Sequence, residues 1–314
     1  MQRAERLLRR FDRWVFAVED ARRLAAVRIG LCSMLALRLA LTDYRAVARA
    51  PGVFEPHFYM HLFARMPSPE VAGTLQACGV ATAVAAAAGV ALRVSLPVSI
   101  GCALVLDGML NSGGRVIVGD AALILCLLVV LAAGAAASEA WTLRGPLRRA
   151  LGAPAPAAVS QSSGGVRYGW PIRTAMVVIA LAYFLAGFQK WRYSGLPWVT
   201  GDNLRWILYA SSDSHSRPNE LALFVADRPV LAHLFAAGSL LLETFFPLVL
   251  FVPKLRWALI PGVVAMHVGI RMAMGLNYSA LATAVVIVFV DWPVVVSWAR
   301  RFVATAPAPR AAPR

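Results

Sequence analysis

The chain has 314 residues, is 59% hydrophobic and only 15% charged, and its mean hydropathy is +0.65. These values lie well outside those of soluble globular proteins and identify a membrane-embedded chain. The net charge of +15 does not imply a nucleic-acid partner, because there is no soluble module to present a basic face and the arginines fall mostly between apolar runs, where they read as topology signals.

Residues 1–23 are too polar for a secretory signal, since the apolar run starts only at Leu24. Leu7, Phe11, Trp14 and Val18 recur at spacings of four, three and four, with Arg6, Arg9, Arg10 and Arg13 on other faces. That pattern predicts a basic amphipathic interfacial helix lying on an anionic leaflet, with membrane lipids as its partner. Residues 24–298 then read as an all-α, polytopic membrane bundle of about eight transmembrane helices: 24–43, 71–92, 94–110, 116–137, 172–190, 231–252, 255–276 and 278–297. With both termini cytoplasmic, the inner connections and ends carry nineteen basic residues and the outer connections eight, as the positive-inside rule requires.

An inner linker, 138–171, contains APAPAAVSQSSGG and reads as flexible. An outer loop, 191–230, carries Trp198, Trp206 and Tyr209 and has the composition for a short interfacial helix over Gly201–Ala210. Residues 299–314 read as a disordered cytoplasmic tail. Cys32, Cys78, Cys102 and Cys126 lie inside apolar runs, and His57, His61, His215 and His233 in loops or near span ends. Neither set has metal-ligand spacing, so no metal is expected. No internal repeat supports an inverted-repeat transporter, although charges inside spans keep transport open as a reading.

Those intramembrane charges converge on the outer half of the bilayer. The fifth span ends on Gln189 and Lys190, and Lys190 and Lys254 are the only lysines among 31 basic residues. A charge near the bilayer centre costs roughly 2.5–3.5 kcal/mol, less near the interface. A desolvated ammonium can give up its proton, whereas a guanidinium cannot. Two readings follow: Lys190 snorkels to the headgroups beside Trp191 and Trp198, or it is a base in a dry chamber with no opposite charge to neutralise it. Glu243 falls near the middle of the sixth span, and His267 and Arg271 lie four apart on one face of the seventh. Arg38, Asp43, Asp107, Asn111, Arg115 and Asp120 lie at the same outer level. A structural account pairs these groups with one another, for instance Glu243 with Arg271.

Five segments together, LAAVRIGLCSMLAL around Arg28, AGFQKW, PWVTG, LLLETFFPLVLF and MHVGIRMAMGLNYSA, resemble the horizontally transferred transmembrane (HTTM) domain, the membrane part of vitamin K-dependent gamma-carboxylase. The similarity spans most of residues 20–298 and is strongest over Leu185–Gly201. The resemblance implies a reduced vitamin K-type quinone such as menaquinol as cofactor, oxygen as co-substrate and Lys190 as the base that deprotonates the quinol. It matches Glu243 and His267 to the family's acid and histidine. Arg38, Asn111, Trp191, Trp198 and Arg271 become candidates to line the cofactor site.

Two features depart from the family. Asn111 is followed by Ser112 and two glycines where the carboxylase has a histidine, and the chain stops shortly after its last span where the carboxylase continues into a soluble domain. A small secreted peptide or a small molecule is therefore the expected target, in a bacterial inner membrane. A non-catalytic partner in secreted-peptide maturation is the alternative.

Overall fold

The computed structural model describes residues 2–49, 54–112, 121–143, 150, 164–213 and 218–304. Arg115, Asp120, His215, most of the inner linker and the tail beyond Ala304 lie outside the described residues. Among the described residues all regular structure is helical, apart from one isolated antiparallel bridge between Glu19 and Gly165. The helices are α1 (Gln2–Val15), α2 (Ala21–Leu41), α3 (Tyr44–Arg49), α4 (Pro69–Ala87), α5 (Leu92–Asn111), α6 (Ala121–Ala132), α7 (Val166–Tyr193), α8 (Pro197–Thr200), α9 (Asn203–Asp213), α10 (Glu220–Ala226), α11 (Pro229–Phe245), α12 (Leu248–Phe251), α13 (Arg256–Met274), α14 (Ser279–Phe289) and α15 (Trp292–Ala304).

Five segments are long and apolar enough to cross a membrane: α2, α4, α5, α7 and Pro253–Met274, which contains α13. The number rises to seven if the bent pairs α10–α11 (99°) and α14–α15 (72°) each count as one span. The eight expected spans are thus reached only in part. The fourth contributes the short apolar α6, and the eighth is broken at Val290–Asp291. The inner linker is shorter than expected because α7 starts at Val166, and α15 extends to Ala304, into the segment expected to be a tail. The short helix expected over Gly201–Ala210 is α9.

α2 is the axis of the bundle. The Asp20 side chain accepts a hydrogen bond from the Arg22 amide at 2.7 Å and starts the helix. Leu24, Leu31, Leu35 and Leu39 are then buried against α4, α6, α7 and α14. Arg28 is fully buried on this helix. Its guanidinium donates to the carbonyls of Ala137, Trp141 (2.7 Å), Ala140 (3.4 Å) and Ala87 (3.4 Å). Ala87 ends α4, and a cation there satisfies carbonyls that a helix C-terminus leaves open. Arg28 therefore ties α2, α4 and the 134–141 segment into one body.

A second, smaller core lies at the opposite end of α7 from α1. Leu208, Ala222, Val225, Ala226 and Ala232 pack together there, flanked by Ala273 and Met274 of α13. α9, α10 and the first turns of α11 thus form a cap. Asn219 fastens it: its carbonyl oxygen accepts from the Ala222 amide (3.1 Å) and starts α10, while its amide nitrogen donates to the Met272 (2.8 Å) and Ala273 (3.2 Å) carbonyls at the end of α13. Gly275, at φ +68°, takes the left-handed conformation that closes α13.

Candidate functional site

α7 and α11 run antiparallel, and three contacts fix their register. Tyr183 packs against Phe246 in a tilted pair with ring centroids 4.5 Å apart, Gly187 faces Glu243 and Thr244, and Lys190 meets Glu243. Tyr183, Gly187 and Lys190 lie four and three residues apart, on one stripe of α7. On α11 the matching stripe is Ala232, Ala236, Leu240 and Glu243, all buried. Gly187 is what lets the helices meet, since a Cβ there would lie 2.8 Å from both the Thr244 amide nitrogen and its Oγ1. Small residues give membrane helices this close approach. Above the crossing, the Trp191 indole donates to Thr244 Oγ1 at 3.1 Å.

The close approach brings the Lys190 ammonium and the Glu243 carboxylate into a direct hydrogen-bonded ion pair. The two side chains are 21% and 9% exposed, so the pair is largely removed from solvent yet retains an accessible edge. Trp198 of α8 stands over the lysine, with the nitrogen 5.3 Å from the ring centroid. A cation over an indole gains about 0.5–1 kcal/mol, and more where both are desolvated.

This pairing corrects two expectations. Lys190 is not a lone amine, since Glu243 neutralises it, and Glu243 is taken by Lys190 and not by Arg271, which is exposed. Depth explains the error. Lys190 lies in the last turn of α7, as the sequence suggests, but Glu243 lies in the last turn of α11 and not near its middle. α11 begins in the cap, beyond the end of α7, and the two helices are therefore offset.

Two turns deeper on the same stripe, Tyr183 Oη and His267 Nε2 of α13 are hydrogen-bonded at 2.8 Å, both buried. His267 also packs against the Tyr278 ring at 5.5 Å. Its Nδ1 is buried with no hydrogen-bond partner, and so is the Trp198 indole nitrogen. Whichever ring nitrogen of His267 carries the proton, Nδ1 has an unmet hydrogen bond, a cost of about 1–3 kcal/mol for a buried polar atom. Lys190 is close enough for its charge to act on His267, and Glu243 for its charge to act on Tyr183. Two polar couples, Lys190–Glu243 and Tyr183–His267, therefore form one electrostatic group with aromatic walls.

The remaining candidates are distributed elsewhere. Arg38 donates to Thr42 Oγ1 at 3.2 Å at the end of α2. Asn111 donates to the Asp107 carbonyl at 2.9 Å within α5, a helix that packs against α3, α4 and α6. Tyr183, Gly187, Thr244, Phe246 and Tyr278 were not singled out from the sequence. The four-and-three spacing back from Lys190 marks Tyr183 and Gly187 in retrospect. No local pattern marks the other three, which arrive from separate helices and a turn. Among the described residues no cluster of His, Cys, Asp and Glu could hold a metal ion. Comparison of the chain with protein-family models, with curated proteins and with solved structures finds no match.

Proposed function

We propose that this is a membrane enzyme of the carboxylase-related HTTM kind, in which the Lys190–Glu243 pair takes a proton from a lipid-borne hydroquinone so that oxygen can react with it. The observation that carries this reading is a desolvated acid–base pair beneath an aromatic roof, next to a histidine with an unmet hydrogen bond. A reduced quinone, when bound, supplies an oxidisable aromatic diol. The residues suit such a group: Trp191 and Trp198 offer ring faces at the accessible edge of the pair, and His267 Nδ1 and the Trp198 indole carry unsatisfied polar atoms for its oxygens.

The chain's own part is proton handling. In its ion-pair form the Lys190–Glu243 couple has room for one more proton, on the carboxylate. When a substrate hydroxyl loses its proton, the O–H electron pair stays on oxygen, the proton passes to Glu243 and the Lys190 ammonium stabilises the new negative charge. Tyr183 holds His267 in place beside this charge. The proposal also carries the finer topology: α1 on the cytoplasmic leaflet, both termini inside, and the cap facing outward. The target is a small secreted peptide or a small molecule.

Oxygen uptake by the purified, reconstituted protein supplied with menaquinol tests the reading. Wild type should consume oxygen, Glu243→Gln should lose at least about 100-fold, as befits a general acid–base group, and Lys190→Gln, which removes the cation that stabilises the new negative charge, should lose most of the rate. Full quinol-dependent activity in both variants would remove the proposal. A non-catalytic role in peptide maturation is favoured by one observation, the tight α7–α11 crossing that the same pair helps to hold. Unaltered peptide maturation in both variants would support it.

A further inference from the structure

At the other end of the bundle, two arginines hold a single carboxylate and a third lies nearby. Glu19 Oε1 accepts from Arg23 Nη1 at 2.8 Å and from Arg173 Nη2 at 2.7 Å. The three side chains are only 11–15% exposed. Arg256 is close enough for its charge to act on both arginines and on Glu19. The arginines arrive from α2, α7 and α13; Arg23 and Arg256 lie in the first turns of α2 and α13, where the helix dipoles add further positive potential, and Arg173 lies about two turns into α7.

Other contacts position these groups but bring no compensating charge. Arg173 Nη1 donates to the Ala17 carbonyl at 3.0 Å, and Arg256 Nε donates to the Val249 carbonyl at 3.0 Å. Arg173 also lies 6.0 Å from the Trp14 ring centroid and Arg256 5.8 Å from that of Phe289. Arg23, 9% exposed as a residue, has its Nε buried with no partner. Asp20, the neighbouring acid, is exposed and occupied in capping α2. Glu139, which follows the Gly134–Ser138 turn, pairs with Arg167 and Tyr168 on the first turn of α7.

A half-buried cluster of three cations and one anion, with an unmet donor, is short of negative charge. We infer that the Arg23–Arg173–Arg256 cluster seats the phosphate group of an anionic membrane lipid. Guanidinium groups match phosphate oxygens in geometry as well as charge, and basic pockets between helices at a membrane face are a known way to hold anionic headgroups. A lipid is favoured over free phosphate because the cluster adjoins α1 and the turn after it, where Phe11, Phe16 and Val18 are 43%, 53% and 63% exposed and would lie along acyl chains. The inference is independent of the Lys190 proposal.

Native mass spectrometry of the full-length protein, with phosphatidylglycerol, phosphatidylcholine or inorganic phosphate added, tests it. Wild type should retain phosphatidylglycerol in preference to phosphatidylcholine, and thermal unfolding in detergent should rise with the former only. Arg256→Gln leaves both partners of Glu19 in place and should weaken phosphatidylglycerol retention about fivefold, at the usual contribution of one basic residue near an anionic surface. Arg256→Lys should recover part of that loss, and Lys190→Arg should not alter retention. Equal retention of both lipids, or an unchanged preference in Arg256→Gln, would overturn the site. The same stabilisation by inorganic phosphate as by phosphatidylglycerol would overturn its assignment to a lipid.

Discussion

Two buried cations carry most of the chemistry at the scale of single residues, and they are satisfied differently. Among the described residues Arg28 meets no carboxylate and is held by carbonyls from two stretches of chain, the end of α4 and residues 137–141. Arg28→Met would leave those carbonyls unmet in an apolar core, at about 1–3 kcal/mol for each that cannot rebond. The expected outcome is a sharp fall in folded yield, read by size-exclusion chromatography in detergent. Lys190 instead has a single charged partner. Removing one member of a buried pair costs about 3–5 kcal/mol, whereas replacing both with apolar groups is often tolerated. Lys190→Met should therefore unfold earlier than wild type, and the double variant Lys190→Met, Glu243→Leu should recover much of the loss while remaining inactive. Equal stability of the single and double variants would show that the charges do not interact. Lys190 was legible in the sequence because lysine is so rare here. Its partner was visible as an acid but assigned wrongly, since which acid meets which base depends on the offset of two helices, and span boundaries alone do not fix that offset.

At the scale of elements, the site depends on how closely α7 and α11 cross. Alanine is the better helix former by about 1 kcal/mol, yet at position 187 its methyl would press on the Thr244 backbone. Gly187→Ala should push the helices apart, strain or break the Lys190–Glu243 contact and lower any quinol-dependent rate at least as much as it lowers stability. Unchanged activity in that variant would mean that the crossing is looser than described. The cap is fastened separately. Asn219→Ala removes an N-cap, typically about 1 kcal/mol, along with two bonds to the end of α13. Hydrogen exchange should quicken over 203–226 while α2 and α4 remain protected. The cap was only partly legible: the α9 helix was visible as an apolar stretch in a loop, but its packing onto α13 is fixed by Asn219, whose role cannot be read from its neighbours.

For the molecule as a whole, the membrane character and the all-helical architecture follow from composition and run length, and the structure contains both. The count of spans did not follow as cleanly, because hydropathy windows do not register the bend at Val290–Asp291 that breaks the eighth run, and the fourth contributes only the short α6 among the described residues. The arrangement that results has a basic cluster at the α1 end and the acid–base pair near the cap. If α1 faces the cytoplasm, an impermeant thiol reagent applied to intact cells should label Thr200→Cys, at the end of α8 beside the cap, and not Gln2→Cys. The opposite pattern would invert the topology.

The central claim, that the Lys190–Glu243 pair receives a proton from a lipid-borne hydroquinone, is tested most directly by isotope-edited infrared difference spectroscopy of the reconstituted protein on anaerobic addition of menaquinol. The account predicts that a glutamate carboxylate band is replaced by a carboxylic acid band, and that this change disappears in Glu243→Gln. A spectrum showing no gain of carboxylic acid in the wild-type protein, with menaquinol bound, would contradict it.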